Sequence, residues 1–289
     1  RVMLFLQSHD VGMGYAVKIW RFYGQKAIAL IQENPYRLAT DIRGIGFLTA
    51  DRIAQKLGVE LHSKIRILAG IRHVLNTAAE ENGHVYLPRE ELVSNCIEFL
   101  DILPDMVGLC LDDLRRNKEV IFEEDRVYIP HLYYSEKGAA TRLYQLSSIH
   151  RIEVGNILNE IEVIEQQEKV AFAPLQRVAL EKALTHNLLI LTGGPGTGKT
   201  TTIKGLIALL EARKKRIALS APTGRAAKRM SEATGRQAKT IHRLLGFSPG
   251  EMAFEKNFSN LLEIDALIVD EVSMVDIVLI NSLLRAVPI

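Results

Sequence analysis

The sequence is sparing with several features that would announce a class at once. There are two cysteines in 289 residues, Cys96 and Cys110. Neither has a Cys or His neighbour at metal-ligand spacing, which excludes a disulfide scaffold and a zinc finger and predicts buried reduced thiols in a cytoplasmic protein. No apolar run approaches the ~18 residues a bilayer span needs, so no membrane association is expected. Neither sign of charge dominates: 36 Lys and Arg stand against 34 Asp and Glu, a net of +2. What is present, 47% hydrophobic and 24% charged residues, is ordinary for a folded chain and excludes disorder and collagen-like fibres. At roughly 150 residues per domain the length allows about two domains. The chain starts at Arg1 with no charged-then-apolar leader, so no signal peptide is expected. It stops at Ala286-Val287-Pro288-Ile289 without a polar tail, which reads as the cut edge of a longer chain.

The near-neutral total conceals an uneven distribution. Residues 201–260 hold twelve Lys and Arg against four acids, a net of +8, and with the whole chain at +2 the remainder carries −6. A basic block beside an acidic remainder is the pattern of a polyanion-binding face, or of a solvated helix surface.

Texture changes near residue 170. Before it, short helices alternate with Gly and Pro. A helix over 61–81 should break at Asn82-Gly83, and another should start at Pro88 with acids in its first turn. Glu119–Pro130 alternates as a hairpin turning at Glu124-Asp125. Helices followed by a hairpin give the order of a winged-helix module over 61–150. Thr141–Gln167 reads as further helix, with 151–173 as a helical linker. After Pro174, strands alternate with helices, the mark of a parallel α/β sheet.

The first sixty residues contain an internal echo. Gly12-Met13-Gly14 is followed by Ala16, Ile19 and Gly24; Gly44-Ile45-Gly46 is followed by Ala50, Ile53 and Gly58. Each reads as two helices around a tight glycine turn, which presents backbone N–H groups beside a helix start and can hold a phosphate without reading a base. Residues 1–60 thus resemble tandem helix-hairpin-helix motifs, which bind DNA backbones through Gly12, Gly14, Gly44 and Gly46; a pair of ordinary helical corners is the alternative. Tyr15 and Trp20 are expected in the core.

The strongest chemical signal is Gly193-Gly194-Pro195-Gly196-Thr197-Gly198-Lys199-Thr200. It follows the apolar run Leu188–Leu191, expected as a buried strand, and precedes a helix from about Thr201 to Arg213. This is G-x4-G-K-[ST] in its strand–loop–helix setting. The loop from Gly193 to Thr201 would cradle a β-phosphate, Lys199 would reach the β/γ oxygens, and Thr200 would complete a magnesium shell. Leu267-Ile268-Val269-Asp270-Glu271 is a strand delivering two carboxylates: Asp270 to hold the ion through water and Glu271 as the general base for the attacking water. ATP and Mg2+ are therefore the expected cofactors.

Three further segments accompany these. Ala218–Ala227, with Pro222-Thr223-Gly224-Arg225, is a strand entering a loop and helix. Thr240-Ile241-His242 follows it, and Pro174-Leu175-Gln176 lies upstream. Together with Asp270–Asp276 they resemble the early motifs of superfamily 1 DNA helicases, nearest to the RecD-like (RecD/TraA type) branch, described as 5′-to-3′ motors. The resemblance implies an α/β fold in which a mostly helical region precedes a partial RecA-like P-loop NTPase domain over 174–289. It also implies that Gln176 contacts adenine, that Pro222, Thr223, Gly224 and Arg225 touch single-stranded DNA, and that Thr240 and His242 line its path. The segment 246–260 is where such proteins insert a strand-separating β-hairpin pin; a connector with three buried phenylalanines is the alternative. The expected function is ATP-driven translocation and unwinding on single strands and single-strand/duplex junctions. The fragment itself is not expected to unwind, because the later motifs of a second motor domain do not occur in it. A non-motor P-loop ATPase and a DNA-binding scaffold with a regulatory ATP site are the other readings.

Overall fold

The computed structural model describes residues 2–9, 11–149, 155–194 and 196–289. The chain forms two compact units, Arg1–Tyr133 and Tyr134–Ile289.

In the first unit, α1 (Val2–Ser8) and α2 (Met13–Tyr23) make one helical hairpin. After a 3-10 turn and α3 (Ala27–Glu33), α4 (Arg37–Asp41) and α5 (Phe47–Lys56) make a second. The second helix of each pair starts directly after a glycine N-cap, Gly12 and Gly46. That offset, 46 minus 12 or 34 positions, also pairs Ala16 with Ala50, Ile19 with Ile53 and Gly24 with Gly58. The expected match of Gly12-Met13-Gly14 to Gly44-Ile45-Gly46 is therefore two positions out of register. Gly14 lies inside α2. The counterpart of Ile45, 2% exposed, is Val11 at 4%, while Met13 is 55% exposed. Burial sets the register, because the turn is held by the apolar side chain beneath it. Gly44 has φ +88°, which favours glycine; its counterpart, Asp10, lies outside the described residues. Trp20, expected in the core, is half-exposed beside the buried Ala16–Ile19 stripe of α2, and Tyr15 is only partly buried.

α6 (Lys64–Asn82) stops at the predicted Asn82-Gly83 break, where Gly83 takes the left-handed conformation. β1 (Tyr86–Pro88), α7 (Arg89–Leu100), α8 (Pro104–Arg116), β2 (Ile121–Glu123) and β3 (Arg126–Tyr128) follow. The antiparallel sheet has the order β1-β3-β2, with the β2–β3 turn at Glu124-Asp125. One continuous core joins both hairpins to this winged-helix-like module; Ala50, Ile53, Ile67, Ile71, Leu92, Cys96, Leu111 and Val127 all belong to it. Both cysteines are buried, and burial pushes the Cys96 thiol up to about 12.

His73 of α6 stacks on Phe47 with ring centroids 5.2 Å apart and meets Phe99 at 5.0 Å. Burial lowers its pKa, against weaker opposition from Glu81 and Glu80. The folded state therefore favours the neutral ring, and this stabilisation is complete above the unfolded value of about 6.5 and lost as pH falls below it. The urea midpoint should drop between about pH 7 and pH 5.5, and His73→Gln should flatten that drop. An unchanged pH slope in the variant would refute the assignment.

In the second unit, α9 (Pro130–Ser148) enters from the boundary, followed by α10 (Ile157–Glu168), α11 (Pro174–Thr185) and α12 (Lys199–Ala212). The segment expected as a linker is part of this unit's core. Ile157, Ile161 and Ile164 of α10 bury with Leu180 and Leu184 of α11 and Leu209 and Leu210 of α12. Two ion pairs reinforce it. Arg213 donates to both oxygens of Glu160 at 2.8 and 3.0 Å, and Arg177 donates to both oxygens of Glu165 at 3.2 and 2.5 Å. The single helix expected over Thr141–Gln167 is two helices, with 150–154 outside the described residues.

The sheet contains β4 (Ile217–Ala221), β5 (Ala238–Thr240) and β8 (Ala266–Val269), parallel, in the order β5-β4-β8. Between these strands lie α13 (Gly224–Thr234), α14 (Ile241–Leu244), and the short antiparallel pair β6 (Phe247–Ser248) and β7 (Ala253–Phe254); α15 (Ile277–Ala286) follows β8. Leu188–Leu191 forms no strand, contrary to expectation. β8 pairs with β4 alone among the described residues, and 188–191 joins neither. An apolar run becomes a strand only when a neighbour takes up its hydrogen bonds. Here Ile190 is 78% exposed, and Leu188 packs instead with Leu146 and Leu284. Among the described residues no helix is long and apolar enough to cross a membrane.

Candidate nucleotide site and nucleic-acid interface

The phosphate-loop motif folds as its spacing requires. Gly196 and Gly198 have φ +75° and +84°, and Gly198 is the N-cap from which α12 starts at Lys199. The Lys199 ammonium donates to the carbonyls of Gly193 and Gly194. The Thr197 hydroxyl donates to Gly194 O at 2.9 Å. A Cβ at Gly193 would meet Thr197 Oγ1 at 2.6 Å, so that position has no room for a side chain. Thr200 is exposed and Thr201 half-buried in the first turn of α12. Pro195 lies outside the described residues.

Packing fixes the direction of α12 on the sheet. Ile203 and Ile207 of α12 cluster with Ile217, Leu219 and Ile268, and only residues 213–216 separate the end of α12 from the start of β4. Its carboxyl-terminal Leu209 and Leu210 cluster with Ile217 and Ala266, where β4 and β8 begin. The helix thus runs against the strands, and the phosphate loop lies at the sheet's carboxyl edge. Asp270 and Glu271 leave β8 at that edge. The Asp270 amide donates to Ser220 O at 3.0 Å, and its carboxylate accepts the Glu271 amide at 2.9 Å. Glu271 sits at φ +54°, ψ 40°, a left-handed conformation costing a non-glycine residue of order 1 kcal/mol or more. Asp101, Lys118, Glu124, Lys169, Lys214 and Met252 take the same left-handed conformation at other turns and helix ends.

The residue types fit a nucleotide with a hard divalent cation. Lys199 can exchange loop carbonyls for phosphate oxygens, and Thr200 and Asp270 offer the hydroxyl and carboxylate oxygens such an ion takes. Among the described residues no three His, Cys, Asp or Glu side chains cluster as a self-contained metal site. The ion would draw its remaining ligands from phosphate and water.

The same edge carries the other predicted segments. Ala221 and Thr240 are register partners across β4 and β5, so the loops leaving them are neighbours. Pro222 begins one, and Thr223 caps α13, its hydroxyl accepting the Ala226 amide at 3.2 Å; Gly224 and Arg225 form that helix's exposed first turn. Thr240 caps α14 the same way, accepting from the Arg243 amide at 3.2 Å. His242 is exposed and lies edge-on to Phe247 at 5.5 Å and near Phe254 at 5.8 Å. These two phenylalanines pair across the β6–β7 hairpin, so His242 stands at its base. Phe258 is exposed, so 246–260 is a small hairpin rather than a connector with three buried phenylalanines.

The basic block separates into committed and free charges. Arg213, Arg216, Lys228 and Arg236 form ion pairs with Glu160, Asp265, Glu232 and Glu211, and Lys256 bonds Asn260. The Arg216–Asp265 pair closes the sheet's amino edge, and the Arg216 amide and guanidinium hold the Asp265 carboxyl below its usual range. Among the described residues Lys204, Lys214, Lys215, Arg225, Arg229, Lys239 and Arg243 have no side-chain partner, and of these Arg225 and Arg243 stand in the first turns of α13 and α14 at the carboxyl edge. Arg243 was not singled out from the sequence; its signal was its place three residues after the predicted Thr240.

Gln176 was expected to face a base. In the structure its side chain is engaged with backbone: Oε1 accepts the Ala173 amide at 2.8 Å and Nε2 donates to Gly198 O at 3.1 Å.

These features define a P-loop nucleotide-binding domain preceded by helix-hairpin-helix and winged-helix-like elements. Residues 1–86 match the family described as "ATP-dependent RecD2 DNA helicase HHH domain", and residues 176–289 match an AAA domain family. The whole chain aligns with the ATP-dependent RecD2 DNA helicase of Deinococcus radiodurans at 33% identity, covering 41% of that protein. It aligns over 71% of its length with the RecBCD enzyme subunit RecD of Buchnera aphidicola subsp. Schizaphis graminum, at 32% identity and 40% of that protein. A shorter stretch, 39% of the chain, is 43% identical to the RecD subunit of Mycolicibacterium smegmatis. The chain is thus similar to RecD-like helicases along its whole length, and it spans about two fifths of the length of the first two relatives.

Proposed function

We propose that the chain is the DNA-gripping region and first part of the motor of an ATP-dependent, 5′-to-3′ DNA helicase acting on single strands and single-strand/duplex junctions. The observation that carries this reading is the convergence of three chemistries on one sheet edge: the phosphate loop at the start of α12, the carboxylates after β8, and the free cations and caps after β4 and β5. In this reading Lys199 and the loop amides hold the phosphates of ATP, and Thr200 and Asp270 hold Mg2+, which neutralises phosphate charge when bound. Glu271 orients and deprotonates the attacking water. Pro222, Thr223, Gly224, Arg225, Thr240 and His242 line the strand's path, and the β6–β7 hairpin stands beside it as the separating pin. Gly12 and Gly46, at the hairpin helix starts, with Gly44 in the second turn, grip backbone without reading bases; Gly14, inside α2, adds only an open surface there. Direction of travel rests on the family.

Salt dependence tests the DNA path. Neutralising Arg225 and Arg243 together should reduce the slope of log K against log salt on single-stranded DNA by about 1.4, at ~0.7 per phosphate. Neutralising Lys214 and Lys215, in the turn leading into β4 at the opposite edge, should leave it unchanged. Equal effects from the two pairs would show a diffuse basic surface and refute the path.

A further inference from the structure

We propose that Gln176 is a positioning residue for the phosphate loop: its amide sets the peptide between Gly198 and Lys199, and so acts on the triphosphate whatever base is attached. This rests on the nucleotide-site reading above. Both hydrogen bonds of the Gln176 amide go to backbone groups of fixed polarity, a donor at Ala173 and an acceptor at Gly198, so its orientation admits no flip. Gly198 O also accepts from the Thr202 amide at 3.0 Å and the Thr202 hydroxyl at 3.1 Å. Three donors therefore hold one carbonyl at the loop's last left-handed residue. A trans peptide is planar, with its C=O and N–H pointing opposite ways. Fixing the Gly198 carbonyl toward Gln176 and Thr202 thus aims the Lys199 amide the other way, out of the helix start, where a phosphate would be held. A Cβ built at Gly198 would lie 2.4 Å from Gln176 Nε2, so the amide sits directly over that glycine.

The test uses the full chain with Gln176→Met, which loses both bonds, and Gln176→Glu, which keeps the acceptor for Ala173 but turns an oxygen toward Gly198 O. Without nucleotide, amide exchange over 196–203 should accelerate in both variants, while exchange in β8 and α15 stays at the wild-type rate and shows the fold intact. Affinity for magnesium tripolyphosphate should fall by roughly three- to tenfold, the worth of one hydrogen bond, and ATP affinity by at least as much. Wild-type exchange over 196–203 in both variants would overturn the proposal. So would a loss confined to ATP, which would return Gln176 to base reading alone. A wild-type chain that bound neither ligand would instead sink the nucleotide-site reading.

Discussion

Asp51→Ala should destabilise the first unit by about 3–5 kcal/mol, the range for stripping one partner from a buried ion pair. Asp51 of α5 and Arg66 of α6 are both buried, with side chains 10% and 8% exposed. Arg66 donates from Nε to Asp51 Oδ1 at 3.0 Å, and from Nη1 to the carbonyls of Leu61 and Leu100 at 2.9 and 3.0 Å. Asp51 also accepts from the Tyr36 hydroxyl at 2.5 Å and from Gln55 at 3.1 Å. Burial and the Asp51 carboxylate hold the Tyr36 phenol protonated well above its usual range. Alanine at 51 leaves a guanidinium in the core facing a phenol with no acceptor. The network ties the second hairpin to α6 and the end of α7, so its loss should loosen both together. Urea unfolding followed by circular dichroism measures the effect. Asp51→Leu combined with Arg66→Met should recover most of the loss, since an apolar pair leaves no charge stranded. A single-variant loss below about 1 kcal/mol would mean the pair is solvated, contrary to its burial.

Lys199→Ala should lower ATP turnover by at least about a thousandfold, the scale of removing a fixed charge from a phosphoryl-transfer site. The Lys199 cation is folded back over its own loop, on Gly193 O and Gly194 O. Glu271→Gln should act differently. It keeps the shape and removes the proton acceptor, so kcat should fall by about 10²–10⁴ while nucleotide affinity changes little. The two variants are compared by steady-state hydrolysis with single-stranded DNA and by nucleotide titration, in a chain carrying the complete motor. Binding of duplex DNA without nucleotide should be untouched in both, because the hairpins of the first unit hold no part of the phosphate loop. Wild-type turnover in Lys199→Ala would end the assignment of this loop as the catalytic site.

Local signals were readable where the chemistry is local. The stop of α6 at Gly83, the β2–β3 turn at Glu124-Asp125 and the start of α12 each follow from a few adjacent residues. Features set by distant partners were not. Leu188–Leu191 has the composition of a buried strand, but a strand is defined by its neighbour, and composition cannot supply one. The first hairpin was misaligned because G-x-G is a salient pattern, although Ala16/Ala50 and Ile19/Ile53 already carried the true offset. Asp51 lies four residues after Phe47 and three before Ala54, on the helix's apolar stripe. A charge in a hydrophobic stripe is a signal that a partner waits in the core. Gln176 was read from the motif it completes, which gives no hint of the Gly198 carbonyl 22 residues away.

The 34-residue repeat has a consequence for holding on and letting go. Two shallow backbone contacts carried in one compact unit would meet the same duplex in tandem, the second at an effective concentration of about millimolar. Each could then be weak enough to release on its own while their joint residence stays long. With no base read by either, neighbouring registers along the duplex would be equivalent in energy, and the unit could creep along a groove rather than lock to a site.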